Sequence, residues 1–272
     1  MTVGKCKLTL QPGTFVKAHI TPLAFTSLTV GPYFVEGGPG LRPTRRPTSW
    51  YDKQLVIRKG EDVLAELDNI AARELRLGKL VWSGWNEASE LGDSLMEYPG
   101  SPHMVRLVPG LDLLRLRVFF LSLLWRAAAS TMKEFQNVVL GADLLERLRL
   151  MVLNGDPSPL NLFPIQLIQL ITKGAHHNLG PLCMHLPFDR GENFEPLTFK
   201  SYRFYFDGLI ANIFIDIPED LYESMSGIYL GGDESVLAMA IPYETSFQAS
   251  NLAQHQHEAV QNYPQIMLKL LR

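Results

Sequence analysis

The chain of 272 residues is predicted to be an α+β protein, on three observations. Helical periodicity is confined to the middle and the end of the chain. Runs rich in β-branched and aromatic residues gather in its second half. The first sixty residues are too interrupted by proline and glycine to hold a long helix. The expected arrangement is a small irregular N-terminal module, a helical centre, and an antiparallel sheet with a C-terminal helix. The predicted units are residues 1–85 and 86–272.

Pro12, Pro22, Pro32, Pro39, Pro43 and Pro47 leave room only for short extended pieces such as Phe15–Ile20, and Glu36–Ser49 reads as an exposed basic loop. From Glu61, the apolar positions Val63, Leu64, Leu67, Ile70, Ala71 and Leu75 recur at three and four residues. They predict a helix stopped by Gly78, with Glu66, Asp68, Glu74 and Arg76 on or near its polar side. A loop rich in Gly, Ser and Pro follows Trp82 and Trp85 as far as Pro109. Leu111–Ser130 is apolar nearly all round and is predicted to be the central buried helix. Ala142–Leu153 is amphipathic and is broken by Asn154-Gly-Asp-Pro157. Strands are expected at Phe163–Thr172, Tyr202–Ile217, Gly227–Leu230 and Val236–Ile241, and a helix over Ala249–Arg272.

At 46% hydrophobic and 19% charged residues, the composition excludes whole-chain disorder. Net charge is −3 but unevenly laid out. Residues 1–60 carry +7 and the remainder −10, and Phe204–Leu268 holds nine acids with no lysine or arginine. A polyanion would be drawn to the first part and repelled by the second. The alternative is that the two charged parts face each other, or that the basic segment is a solvated loop. Cys6 and Cys183 are too few for a disulfide framework or a four-cysteine zinc site, so no structural zinc and a reducing, cytoplasmic setting are expected. No signal peptide is visible. The apolar run Val118–Trp125 is too short to span a bilayer, and no membrane partner is expected.

No phosphate-binding glycine loop, His-Glu-x-x-His, Gly-x-Ser-x-Gly or kinase signature occurs. Cys6-x-Leu8, Ala18-His-Ile-Thr-Pro22 and Leu123-Leu-Trp-Arg-Ala127 do form a pattern. It resembles bacterial proteins of the His-Asn-His (HNH) endonuclease group that begin Cys-x-Leu-Cys, continue Ser-His-Ile-Ile-Pro and then Cys-x-x-Cys-Glu. The resemblance spans about the first half of the chain. It implies a ββα-like module, normally zinc-stabilised, here a degenerate basic one over 1–85. Thr9 stands at the second cysteine, and Asp68-Asn-Ile-Ala71 is taken as the counterpart of Cys-x-x-Cys. Packing by Leu67, Ile70, Leu75, Trp82 and Trp85 would then replace the metal.

By the same resemblance His19 would deprotonate a water beside a divalent cation such as magnesium, with Asp68, Asn69 and Glu74 of the following helix as its ligands. Lys17, Arg42, Arg45, Arg46, Lys53, Arg58 and Lys59 would meet nucleic-acid phosphates. The resemblance also implies a nuclease component of a bacterial defence or mobile-element system. The alternative is a non-catalytic scaffold that binds a protein partner through the acidic C-terminal region. His19 could instead be a locally bonded structural histidine. His176-His177 should point to opposite faces, one of them able to join His185, Asp189 or Glu192. Arg126, ending so apolar a helix, is expected to pair with an acid, the alternative being a phosphate or carboxylate clamp. Cross-strand structural pairing is the expectation for Arg203 and Asp207.

Overall fold

The computed structural model describes residues 2–26, 34–37, 44–46, 49–92, 95–98, 103–188, 197–231 and 233–265, with backbone alone for 34–37 and 44–46. Short strands β1 (Val3–Lys5), β2 (Pro12–Thr14) and β3 (Ala18–His19) precede the one-turn helix α1 (Leu23–Thr26). Then come β4 (Phe34–Gly37), β5 (Thr44–Arg46), β6 (Tyr51–Asp52) and helix α2 (Arg58–Leu77). Strands β7 (Leu95–Glu97) and β8 (Met104–Pro109) lead into α3 (Leu113–Ala129) and α4 (Ala142–Asn154). The second half is β9 (Ile165–Leu170), β10 (Asn178–Leu179), β11 (Leu182–Phe188), β12 (Leu197–Phe206), β13 (Leu209–Phe214), α5 (Glu219–Ser224), β14 (Ser235–Ile241) and α6 (Phe247–Asn262).

The fold class is α+β. Seven strands form the main sheet in the order β11-β12-β13-β9-β14-β8-β7. Its pairs are antiparallel except β14 with β9, so the sheet is mixed rather than purely antiparallel. The long apolar run expected as one strand over Tyr202–Ile217 is a hairpin. Asp207 and Gly208 both take positive φ (48° and 80°), which is the two-residue turn whose twist matches paired strands. Gly208 also lies under the Trp82 indole, where a Cβ would meet ring atoms at 2.3 Å.

Other boundaries move for local reasons. Gly227–Leu230 is mostly a 3-10 turn, not a strand. The segment expected to be loop up to Pro109 contains β7 and β8, because Met104–Pro109 pairs antiparallel with β14 and buries Val105 and Val108. Arg45 and Arg46 lie in β5, paired with β4, while Arg42 falls outside the described residues. Helix α2 starts three residues before Glu61. Gly155 ends α4 with φ 65°, the left-handed cap that the Asn-Gly-Asp-Pro breaker predicts. The C-terminal helix runs to Asn262, and residues past 265 are outside the described set.

Helix α3 is buried on every side, as its all-round apolarity predicts, and packs between α2, α4 and one face of the sheet. One core contains residues from Cys6 to Ala238 and so crosses position 85. Leu67 and Leu75 belong to it. Trp82 and Trp85 do not: they join Ile168, Leu170, Tyr205 and Ile210 in a second cluster on the opposite sheet face.

Candidate functional site

Strand β3 pairs with β6, setting His19 opposite Tyr51. Behind it, α2 and α3 present polar residues to each other. Glu61, Leu64 and Asp68 stand at i, i+3 and i+7 and share one face of α2. Ser122 and Arg126 stand at i and i+4 on α3.

The Arg126 side chain is 1% exposed. Its Nη1 donates to Asp68 Oδ2 at 3.1 Å and to the His19 carbonyl at 3.1 Å. Its Nη2 donates to Asp68 Oδ1 at 2.5 Å, Ser122 Oγ at 3.2 Å and the Leu64 carbonyl at 3.4 Å. The expected acid partner of Arg126 is therefore Asp68, held bidentately. Three atoms of this cluster lie buried without a hydrogen-bond partner among the described residues: His19 Nε2, Glu61 Oε2 and Arg126 Nε. Such atoms are uncommon in a folded interior, which makes the cluster a candidate site.

Burial disfavours charge on both flanking groups. It lowers the His19 imidazole below its usual range, helped by repulsion from Lys17 and opposed by Asp68. His19 therefore leans to the neutral form, with a lone pair able to accept a proton. Burial also pushes the Glu61 carboxyl up to about 7, against the pull of Arg126.

The Glu61 shift has a consequence for stability. Below pH 4.5 the carboxyl is protonated in both folded and unfolded chains. Between there and pH 7 the folded chain holds more protons, so stability should fall as pH rises and level off above that window. Solvent reaches part of the group, so about 1–2 kcal/mol is expected rather than the full linkage value. Urea unfolding at pH 4.5 and pH 8 should show Glu61→Gln to be more stable than wild type only at the higher pH. An equal effect at both would contradict the assignment.

The basic residues are partly assembled around His19. Lys17 Nζ sits 3.9 Å above the Tyr51 ring and Lys53 Nζ 5.7 Å from it. That ring meets His19 edge-on at 6.0 Å. Arg58 and Lys59 are exposed in the first turn of α2. The expected cation ligands do not converge. Asn69 is exposed. Glu74 is turned into the protein, held by Arg73 at 2.8 Å and accepting from the Asp112 N–H at 3.1 Å. Both oxygens of Asp68 are committed to Arg126. Among the described residues no three His, Cys, Asp or Glu side chains are placed to hold a metal ion.

Cys6 is buried beside the start of α2. Its sulfur accepts from the Thr9 N–H at 3.4 Å. A Cβ on Gly60 would stand 3.0 Å from it. Burial raises the thiol, but hydrogen bonds from Thr9, Ile57 and Leu8 outweigh this and lower it. The positions beside Cys6 are thus Thr9, Ile57 and Gly60, not Asp68–Ala71, which lie two turns or more along α2. One thiol beside a hydroxyl, an aliphatic chain and a glycine cannot supply tetrahedral zinc. Glu61 was the member missed from sequence. Its signal was the acidic i, i+7 spacing with Asp68.

Elsewhere, the two adjacent histidines, expected to point to opposite faces, both pack on the aromatic cluster of Trp82, Tyr205 and Tyr243. His177 stacks on Tyr205 at 4.8 Å, its Nδ1 bonds the Ala175 carbonyl, and its Nε2 accepts from Gln248 at 2.9 Å. Burial lowers its pKa to about 4. His176 instead meets Trp82 edge-on. Asp189 and Glu192 lie outside the described residues. Arg203 pairs cross-strand with Asn212 at 3.1 Å, whereas Asp207 accepts from the Ser83 N–H.

The chain is thus an α+β protein with a partly buried His–Glu–Asp–Arg cluster near Lys17, Lys53, Arg58 and Lys59. No protein-family model, curated protein or solved structure matches it.

Proposed function

We propose that the chain is a nucleic-acid-associated protein of HNH-like type with a degraded metal site. The observation that carries this reading is the placement of Lys17 and Lys53 over the Tyr51 ring that edges His19. Two cations held beside a neutral-leaning histidine suit a phosphodiester, and Arg58 and Lys59 extend the charge along α2. Arg42, Arg45 and Arg46 belong to the same basic segment and would add contacts. The commitment of Asp68 to Arg126, and the lone thiol of Cys6, support the degraded part of the reading. By resemblance the protein would serve a bacterial defence or mobile-element system, in a cytoplasmic setting that suits two free cysteines. No helix among the described residues is long and apolar enough to cross a membrane.

Anisotropy of a labelled duplex across a salt series tests this. Affinity should drop steeply with salt, and the paired change Lys17→Ala with Lys53→Ala should flatten the log–log slope by about one to two. The Arg42, Arg45 and Arg46 triple change to alanine should act likewise. Affinity untouched by salt and by both variants would overturn the reading. Magnesium-dependent nicking should be weak or absent in the wild type, and any that occurs should vanish in His19→Ala. A chain that neither binds nor nicks would favour the scaffold reading, with the acidic C-terminal region as the partner surface.

A further inference from the structure

A second site lies away from the His19 cluster. Five separate segments enclose a cavity of about 270 Å³: α1, the last turn of α2, the 3-10 turn Trp82–Gly84, the loop after β9, and the β12–β13 turn. Phe25 and Trp82 form an apolar wall. Arg76, Lys173 and His176 supply positive charge or donors, and Asp207 is the single acid.

The cations are oriented without being neutralised. Arg76 Nε donates to Ser83 Oγ at 3.1 Å and its Nη2 to the Ala24 carbonyl at 2.7 Å. A guanidinium fixed at two points keeps its other N–H groups in a set direction. Lys173 Nζ gives one hydrogen to the Asn86 carbonyl at 3.1 Å, leaving two. Both are held by neutral acceptors, and neither makes an ion pair among the described residues. His176 is set edge-on against Trp82 at 5.7 Å. Asp207 turns one oxygen to the Ser83 N–H at 3.2 Å; burial raises its carboxyl, against the Ser83 hydrogen bond and the pull of His176 and Arg76.

We propose that this cavity binds a phosphomonoester, its phosphate on Arg76, Lys173 and His176 and its organic part against Phe25 and Trp82. A dianion matches two fixed cations with spare donors better than a carboxylate does, and a preformed pocket loses little entropy on binding. The ligand could be a free nucleotide or the phosphorylated end of a strand, which present the same group.

Titration calorimetry on the full chain tests the proposal with adenosine 5′-monophosphate, adenosine, and a short oligonucleotide bearing a 5′-phosphate or a 5′-hydroxyl. The phosphate should improve binding about tenfold over the matching unphosphorylated probe. Preference for the phosphorylated strand end over the mononucleotide would identify a strand terminus as the source, and the reverse a free nucleotide. Either supports the site. Arg76→Ala and Lys173→Ala should each weaken the phosphorylated probe about fivefold or more. If Arg76→Ala fails to fold, Lys173→Ala and His176→Gln, the latter at an exposed residue, carry the test. Lys133→Ala, at an exposed lysine outside both sites, should leave mononucleotide binding unchanged. Equal affinity for phosphorylated and unphosphorylated probes, or indifference to Arg76, Lys173 and His176, would overturn it.

Discussion

Arg126→Met should destabilise the protein by about 3–5 kcal/mol, the cost of leaving one half of a buried ion pair without its partner. Arg126 is 1% exposed and Asp68 21%, so water can restore only part of the lost solvation of Asp68. The substitution also removes the donors to the His19 and Leu64 carbonyls and to Ser122. A second change, Asp68→Leu, should recover part of the loss, since an apolar pair carries no orphaned charge. Urea unfolding of the two single variants and the double variant measures the coupling directly. Strict additivity would show that Asp68 and Arg126 do not stabilise each other, contrary to their bidentate geometry.

A comparable effect is expected at Arg117, whose stabilising role is of a different kind. Its side chain is fully buried within α3 and makes no ion pair among the described residues. It donates instead to the carbonyls of Pro157, Phe163, Leu160 and Pro159 at 2.8, 2.9, 3.0 and 3.3 Å. Burial lowers its pKa to about 10, so the charge is kept at neutral pH. These bonds fasten the segment between α4 and β9, which contains three prolines and has few backbone donors of its own. Arg117→Met should strand several carbonyls and cost at least about 3 kcal/mol. Arg117→Lys should recover little, because one ammonium cannot span four acceptors that a planar fork reaches. A loss under about 1 kcal/mol, read from urea midpoints at unchanged slope, would mean that desolvation of the guanidinium offsets its bonds.

The residues of α2 show where reading a sequence stops being enough. Leu64, Leu67, Ala71 and Leu75 recur at helical spacing and all reach the core, so local pattern decided the helix and its buried stripe. The same pattern assigned Asp68 and Glu74 to the polar side. Both turn inward, because Arg126 and Arg73 supply charge partners that periodicity cannot register. The hairpin at Asp207-Gly208 was written in the local residues, yet a long apolar run concealed it.

The α+β class, the all-round burial of α3 and the breaker after α4 were determined by the sequence alone. Each depends on residues close in the chain, whose hydrophobic spacing or backbone preference acts before distant contacts form. Only the tertiary structure decided that His19, Glu61, Asp68 and Arg126 share one partly buried cluster, or that Thr9, Ile57 and Gly60 surround Cys6. Those residues are brought together by the packing of β3, α2 and α3 around a common core, and such packing follows from the summed burial of many side chains rather than from any local spacing.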